Sequence, residues 1–289
     1  MRRPSFGFRF WLFFSLLLVG IIAAGIATLC DGDDSLQRVR KDGTIIIGYA
    51  IEAPYAFLTP EGEVTGEAPE IAKVVAARLD IPHIYWRQLE FGSLIGELQA
   101  GRIDAIAAGM FITPQRARRV SFSLPTYRAR SGLLVAKGNP RGLHSYSQAA
   151  GLHAVKIAVL DGSVEQDQLH RLGLREPRLL TVPDALTGRI AVETGGVDGL
   201  ALSSPTVHWM ALQQKNGGTE AAEPFETGKD GGGLGAFAFR KEDHRLLAAW
   251  NEALATFVGS PEHLVLVGRF GLTKADIPLP AGNGKEVVP

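Results

Sequence analysis

Short apolar runs alternate with longer amphipathic stretches over most of this sequence. From residue 44 onward, apolar runs of strand length are followed by longer segments in which apolar residues recur at helical spacing. This alternation is typical of βαβ units, in which helices cover mainly parallel sheets. A chain of 289 residues is long enough for two such units of domain size. The sequence therefore predicts an α/β fold with two lobes.

The overall charge excludes some classes of partner. Lys and Arg total 30 and Asp and Glu also total 30, so no net field favours nucleic acid. Cys30 is the single cysteine, and the seven histidines are scattered without the spacing of a metal site. No nucleophile elbow or phosphate-binding loop is present, and no carboxylates are visibly paired for acid-base work. We therefore expect a binding protein without catalytic residues, cofactor or metal.

The N-terminal segment 1–30 has the pattern of an export signal. Arginines precede an apolar run over 10–29, which is also long enough to remain as a membrane anchor. A small-x-small site at 25–27 favours cleavage, whereas Cys30 suggests lipid attachment but follows a bulky Leu29 that is wrong for that signal. Each alternative places the remainder outside the cytoplasmic membrane, in the periplasm or cell envelope. A linker is expected over 31–41, beginning with the acidic stretch 31–35.

The segment 100–127 contains a strand-to-helix junction suited to holding an anion. A predicted strand over 103–108 leads through a turn to Thr113 and Pro114, which mark the start of a helix. Unpaired N–H groups and the helix dipole favour a carboxylate there, and Arg116 lies one turn inside the helix. From spacing alone, Arg116 is either an anion ligand or an ordinary solvated helix residue.

Three aromatic residues follow predicted strands at the same rim of the first sheet. Tyr55, Phe91 and Phe111 each lie in a loop of the kind that binds ligands in open α/β sheets, and Glu52 lies beside Tyr55. Any one of these rings could simply pack a helix against the sheet. Taken jointly, with Glu52 beside them, they favour an aromatic binding box.

The second half of the chain repeats this pattern. A strand over 127–137 precedes a second α/β unit, in which Gly162 and Ser163 stand before one predicted helix and a later helix is predicted over 183–193. They could cradle an anion, or Ser163 could act only as a helix cap. A glycine run at 231–235 lacks the spacing of a dinucleotide fingerprint and suits a hinge. The last predicted helices run over 244–258 and 261–271, and they present core residues at helical spacing: Leu246, Leu247, Trp250, Leu254 and Phe257.

These features resemble the solute-binding proteins of ABC importers that carry polar amino acids and related zwitterions, known as family 3. The resemblance covers residues 41–271 and is most specific in LQAGRIDAIAAGMFITPQRARRVSFSLPTY, in 66–72 and in GAFAFRKED. It implies a two-lobe periplasmic-binding-protein fold of type II, with mainly parallel sheets and a two-strand hinge near 127–129 and 231–236. It also implies an ABC permease as partner, and we expect a monomer.

The resemblance assigns roles to individual residues. Arg116 matches the family's carboxylate-binding arginine, and Gly162 and Ser163 match its second-lobe turn. Ser203 stands where many members have an aspartate for an ammonium group, and Phe111 replaces a hydroxyl residue. Within the family, the pattern most resembles receptors for ectoine and hydroxyectoine. The predicted ligand-binding residues are Glu52, Tyr55, Phe91, Gly109, Phe111, Arg116, Gly162, Ser163 and Ser203.

The predicted organisation follows from this resemblance and leaves two alternatives. Lobe 1 is expected over 42–127 and 233–275 and lobe 2 over 128–232, with a C-terminal tail at 276–289. The same fold hosts secreted prephenate or arogenate dehydratases, in which Glu52 would serve as a general acid. Retention of the apolar segment would instead make the chain a tethered sensor. The favoured prediction is capture of a small zwitterion between two lobes.

Overall fold

A computed structural model describes residues 33–213, 217–228 and 232–278. The predicted signal or anchor at 1–30, Cys30 and most of the predicted C-terminal tail lie outside these residues. Within the described ranges, no helix is both long and apolar enough to cross a membrane.

The chain begins with the larger part of lobe 1. Its helices and strands are, in chain order, α1 (Ser35–Asp42), β1 (Thr44–Tyr49), β2 (Phe57–Leu58), β3 (Val64–Thr65), α2 (Glu67–Arg78), β4 (His83–Gln88), α3 (Leu94–Gln99), β5 (Ala105–Ile106), α4 (Pro114–Ala117) and β6 (Ser121–Phe122). A short 3₁₀ turn at Phe91–Ser93 precedes α3.

Lobe 2 follows, and the chain then returns to lobe 1. Lobe 2 contains β7 (Tyr127–Ala136), α5 (Tyr146–Gly151), β8 (Ile157–Leu160), α6 (Val164–Arg171), β9 (Leu179–Val182), α7 (Ala185–Glu193), β10 (Gly199–Ser203), α8 (Ser204–Leu212), β11 (Thr219–Ala221) and β12 (Gly232–Gly235). The return adds β13 (Ala238–Phe239), α9 (His244–Phe257) and α10 (Pro261–Gly268), before a 3₁₀ turn at Lys274–Asp276.

Each lobe is built on one mixed sheet. The strand order is β4-β1-β5-β13-β6 in lobe 1 and β11-β7-β10-β8-β9 in lobe 2. Strand β1 pairs in parallel with β4 and β5, and β8 pairs in parallel with β9 and β10. The strands next to the crossover between lobes, β7 and β13, pair antiparallel to their neighbours. The two-lobe α/β fold is confirmed, but the sheets are mixed because the chain leaves and re-enters lobe 1.

Two antiparallel strands join the lobes. The first part of β7 pairs with β12, from Tyr127 opposite Gly235 to Arg130 opposite Gly232. The rest of β7 continues into the second sheet and pairs with β10 from Ser131 onward. The predicted glycine segment is thus itself a strand. A close approach explains Gly235, because an added Cβ would lie 2.0 Å from the Tyr127 ring.

Helix α9 fills the centre of lobe 1. Leu246, Trp250, Leu254 and Phe257 are fully buried, as their spacing predicted, and Leu247 is half-buried at the edge of the same cluster. The Trp250 ring packs edge-on against Phe237 and Phe239. Burial of such rings supplies much of the hydrophobic stabilisation of a domain.

Three element boundaries differ from the sequence predictions. The expected acidic linker at 31–41 is helical from Ser35, because Asp33 accepts hydrogen bonds from Ser35 and from the Arg245 backbone at the start of α9. Helix α7 begins at Ala185 rather than 183, because Asp184 caps it through the Thr187 N–H. Helix α10 ends at Gly268, before the predicted 271.

Truncation in the α9 core should destabilise the protein strongly. We expect Leu254→Ala to lower the free energy of unfolding by about 2–5 kcal/mol, because Leu254 is fully buried and leaves a cavity. Urea denaturation measures the change. Val265→Ala, at an exposed position of α10, serves as control and should change it by less than about 0.5 kcal/mol. Equal losses in the two variants would contradict the assigned core.

Candidate functional site

A small enclosed cavity lies between the lobes, at the carboxyl ends of strands from both sheets. Its volume is about 10 Å³, which is room for about one water molecule. Eight of the nine predicted site residues line it: Glu52, Tyr55, Phe91, Gly109, Phe111, Arg116, Ser163 and Ser203. Gly162 lies outside the lining but contacts Arg116 through its carbonyl. Leu160, Val164 and Glu165 complete the wall.

Arg116 is buried and connects the lobes. Thr113 caps α4 by accepting a hydrogen bond from the Arg116 N–H at 3.1 Å, as the Thr-Pro pair predicted. The guanidinium donates to the Phe111 carbonyl at 2.8 Å and to the Gly162 carbonyl of lobe 2 at 2.9 Å. Only 8% of Arg116 is exposed, which excludes the solvated alternative in this conformation. Burial lowers the pKa of Arg116, and the Glu165 charge partly offsets this.

Glu52 follows β1 and is held by a residue of lobe 2. It forms a bridge with Ala56 that closes the loop, and its Oε1 accepts a hydrogen bond from the Thr206 hydroxyl at 2.8 Å. Burial, and to a smaller extent the nearby charge of Glu165, raise the pKa of Glu52 to about 8. Thr206 lowers this pKa only in part. Glu52 is therefore a buried acid whose charge depends on what fills the cleft.

Tyr55 lies against the turn at Gly109. Its hydroxyl lies 3.0 Å from the Ser203 hydroxyl of lobe 2, and its ring packs on Tyr127 with centroids 4.6 Å apart. Gly109 has a φ of 63°, and an added Cβ would lie 2.6 Å from the Tyr55 ring. Only glycine fits there without displacing the ring. The Tyr127 hydroxyl fixes the same turn by donating to the Gly109 carbonyl at 2.6 Å.

The two phenylalanines pack mainly on protein groups in this closed arrangement. The Arg116 guanidinium lies over the Phe91 ring, 5.3 Å from its centroid, which is a cation–π contact. Phe111 packs against Tyr127 with centroids 5.9 Å apart and forms a bridge with Gly235. Sequence reasoning expected both rings to face a ligand cation. They line the cavity, but Phe91 also covers the arginine.

The turn at Gly162 and Ser163 caps the N-terminus of α6. Ser163 accepts from the Gln166 N–H at 3.1 Å, which is the helix-cap alternative. The Gly162 N–H donates to the Gln166 side chain at 2.9 Å. The anion-cradling alternative therefore lacks a free Gly162 N–H in this conformation. The buried Ser163 still lies at the cavity wall.

Glu165 is the main residue that sequence reasoning missed. It lies in the first turn of α6, is 5% exposed and reaches the cavity from lobe 2. Burial raises its pKa to about 7, while Arg116 and Ser163 lower it in part. An acid in a first helical turn usually reflects the helix dipole, so the sequence carried no distinct signal. Ser203 lines the cavity without a charge, and Glu165 supplies a carboxylate of lobe 2 in the same cavity.

Thr206 was missed because helix α8 was not predicted. It is fully buried and contacts both Ser203, at 3.1 Å between hydroxyls, and Glu52. Helix α8 starts at Ser204 with Pro205 in its first turn, as Pro114 lies in the first turn of α4, although the N-cap residue Ser203 makes no side-chain cap hydrogen bond. The Ser204-Pro205 pair could therefore have indicated the start of α8 from the sequence.

The lobes also meet at a pair of glycines. Gly92 lies so close to lobe 2 that an added Cβ would be 2.7 Å from the Asp161 carboxylate. A Cβ on Gly162 would meet the Gly92 Cα at 3.3 Å. This contact requires small residues when the cleft is closed.

Comparison with known proteins identifies the family. Residues 45–270 match the model of bacterial extracellular solute-binding proteins, family 3. The chain belongs to this family. Among relatives, a probable amino-acid ABC transporter periplasmic-binding protein, y4tE of Sinorhizobium fredii, is 35% identical and covers 89% of this chain and 86% of that protein. The ABC transporter arginine-binding protein 1 of Escherichia coli is 25% identical, and the match covers 81% of this chain and 91% of that protein.

The solved structures agree with this assignment. A crystal structure of EhuB in complex with hydroxyectoine has a TM-score of 0.79 and 29% identity, covering 83% of this chain and 93% of that one. Family membership makes this solute-binding protein an extracytoplasmic component of an ABC importer of the amino-acid type. Among the described residues, no group of three or more His, Cys, Asp or Glu side chains could hold a metal ion.

Glu67 supports a pH-dependent stability prediction. It is fully buried at the start of α2, and neither carboxylate oxygen has a partner within hydrogen-bonding distance among the described residues. Burial raises its pKa to about 7, and the nearby Thr126 side chain lowers that pKa only in part. The folded protein therefore holds a proton that the unfolded chain releases above pH 4.5, so this contribution to stability falls as pH rises toward 7. Glu67→Gln should remove that fall, gaining about 3 kcal/mol relative to wild type between pH 4.5 and 8.

Urea denaturation at several pH values measures this gain. Glu63→Gln, at an exposed position nearby, controls for the loss of one carboxylate. The same pH dependence in both variants would contradict the buried, unpaired state of Glu67.

Proposed function

We propose that this solute-binding protein captures a small ligand bearing a carboxylate and a cationic group between its lobes, and delivers it to an ABC permease. The supporting observation is the cavity in which Arg116, two buried acids and three aromatic rings meet. The ligand-binding residues proposed are those nine predicted from the sequence, together with Glu165. The cavity must open or rearrange to admit such a ligand, since its volume is about 10 Å³.

Arg116 is proposed to bind the ligand carboxylate. A guanidinium carries five N–H donors, and two hydrogen bonds to backbone carbonyls leave donors that can engage a carboxylate. The bond to the Gly162 carbonyl joins the lobes, so a ligand at Arg116 would be bound where the cleft closes. This couples recognition to the closed form that a permease receives.

Two ligand classes suit the cationic end. Ectoine and hydroxyectoine carry a diffuse amidinium that aromatic faces such as Tyr55 and Phe111 would attract, with Glu52 as counter-ion. EhuB, solved with hydroxyectoine, favours this class by similarity. Amino acids are the second class, favoured by Glu165, which gives an ammonium group a carboxylate on lobe 2. Similarity to EhuB supports the ectoine class, and the second carboxylate supports basic amino acids, so we propose these two candidate classes.

Binding rather than catalysis is proposed for the buried acids. Glu52, with its pKa raised to about 8, has the protonation needed for a general acid, so a dehydratase activity is the rival function. Incubation with prephenate and arogenate should yield no product.

The state of the N-terminal segment is tested separately. Mass spectrometry of the N-terminus of the protein isolated from the cell envelope would distinguish a cleaved signal from an uncleaved anchor.

A thermal-shift screen tests the proposed function. Ectoine, hydroxyectoine, betaines and the common amino acids are added singly, and a true ligand at about 100 times its Kd should stabilise the fold by about 2.7 kcal/mol. Arg116→Ala should abolish the shift, because the carboxylate then has no cation in the cavity. Arg118→Ala, at an exposed position of the same segment, serves as control and should retain it. No shift with any ligand would refute the proposal.

A second prediction concerns closure. Gly92→Ala should raise the Kd of the ligand found in the screen a few-fold, because in the closed form the new methyl group meets the backbone carbonyl of Asp161 at 3.2 Å and displaces its exposed carboxylate, and relieving this overpacking costs roughly 1 kcal/mol. Isothermal titration measures the change. Gly96→Ala, on α3 with open space around it, should leave the Kd unchanged. Unchanged affinity in both variants would mean that the bound state does not require this contact.

A further inference from the structure

Glu165 places a second carboxylate in the cleft, opposite Glu52. Both side chains are more than nine-tenths buried, and they approach the cavity from different lobes. Arg116 is the one cation among the residues that line the cavity. The motif that identified Arg116 does not include Glu165. We infer that Glu165 selects the ligand by its net charge, so that the closed cleft favours a net cation over a neutral zwitterion of the same shape. This inference rests on the proposed function.

The argument is a count of buried charges. Arg116 carries one positive charge. Burial raises the pKa of Glu52 to about 8 and that of Glu165 to about 7, so the two acids together carry two negative charges only above about pH 8 or when a bound cation stabilises their ionised forms. The carboxylate of a ligand adds a third negative charge, so a zwitterion with one cationic group leaves one negative charge without a partner. An uncompensated buried charge is strongly unfavourable. A ligand with two cationic groups and one carboxylate makes the closed cavity neutral.

A proton can replace the second cationic group at lower pH. The charge of Glu165 acts on Arg116 and Glu52 of lobe 1, and it raises the pKa of Tyr55 and of Tyr146. Burial raises the pKa of Glu165 to about 7. A neutral zwitterion can therefore be bound near pH 6 with a proton on one acid. Binding of the zwitterion is then coupled to the uptake of one proton, so its affinity should fall as pH rises and the proton concentration decreases.

Arginine and citrulline have nearly the same shape and differ in net charge, so comparing their Kd values tests the effect of ligand charge. L-arginine carries a guanidinium where L-citrulline carries a neutral ureido group, and ectoine provides a cyclic neutral zwitterion. Isothermal titration at pH 6.0 and 8.0 gives the Kd of each for the intact mature protein. We expect arginine to bind at least about tenfold more tightly than citrulline at pH 8.0. This ratio of Kd values corresponds to about 1.4 kcal/mol of preference for the extra charge. The Kd of ectoine should rise about tenfold between pH 6.0 and 8.0.

Glu165→Gln is the decisive variant because it keeps the shape and removes the charge. It should reduce the arginine preference to near unity and remove most of the pH dependence for ectoine. Glu176→Gln, at an exposed carboxylate of lobe 2 that does not line the cavity, is the matched control and should leave both unchanged. Circular dichroism and the melting temperature establish that each variant is folded.

The outcomes separate this inference from the proposed function. Charge preference or pH dependence that disappears in Glu165→Gln supports the inference, whichever probe binds. Probes that bind wild type and Glu165→Gln with the same charge preference and pH dependence overturn it, and leave the proposed function standing. If neither these three probes nor any ligand of the screen binds, the proposed function fails and the inference fails with it.

Discussion

The buried guanidinium of Arg116 is the interaction on which the closed arrangement depends. A cation removed from water needs several compensating contacts, and this one receives carbonyl oxygens from both lobes, an aromatic face from Phe91 and the field of the acids nearby. These contacts come from four separate stretches of chain. The lobes therefore cannot separate without exposing the cation to water or giving up the bond to Gly162.

The topology explains why these stretches meet. Parallel strands in each lobe direct their carboxyl ends toward the cleft, so the loops after β1 and β8 face each other. The β7–β12 pair joins the lobes through one continuous strand and one glycine-rich strand. Such a connection holds the lobes in register while allowing rotation about a few backbone angles. Mixed sheets are the consequence, since the returning strand β13 must run antiparallel to β5.

Local signals predicted most of the fold and much of the cavity, and long-range contacts account for what they missed. Thr113-Pro114 marked a helix start, and the position of Arg116 one turn later followed from it. Glu165 looked like an ordinary first-turn acid, because its burial depends on how lobe 2 closes over lobe 1. Thr206 contacts Glu52 from 154 positions away, and no pattern along the chain encodes that pairing. Helix α1 formed where a linker was expected, because Asp33 bonds to the distant α9.

The placement of the two acids on opposite lobes locates selectivity in the closing step. In an open cleft Glu52 and Glu165 would each face water, and their charges would cost little and discriminate little between ligands. Closure brings both into one dry cavity with Arg116, so the charge of the occupant changes the closing equilibrium rather than the first encounter. A poorly matched ligand would then bind an open form but shift few molecules to the closed one. A permease that accepts only the closed form would therefore receive well-matched ligands more often than poorly matched ones.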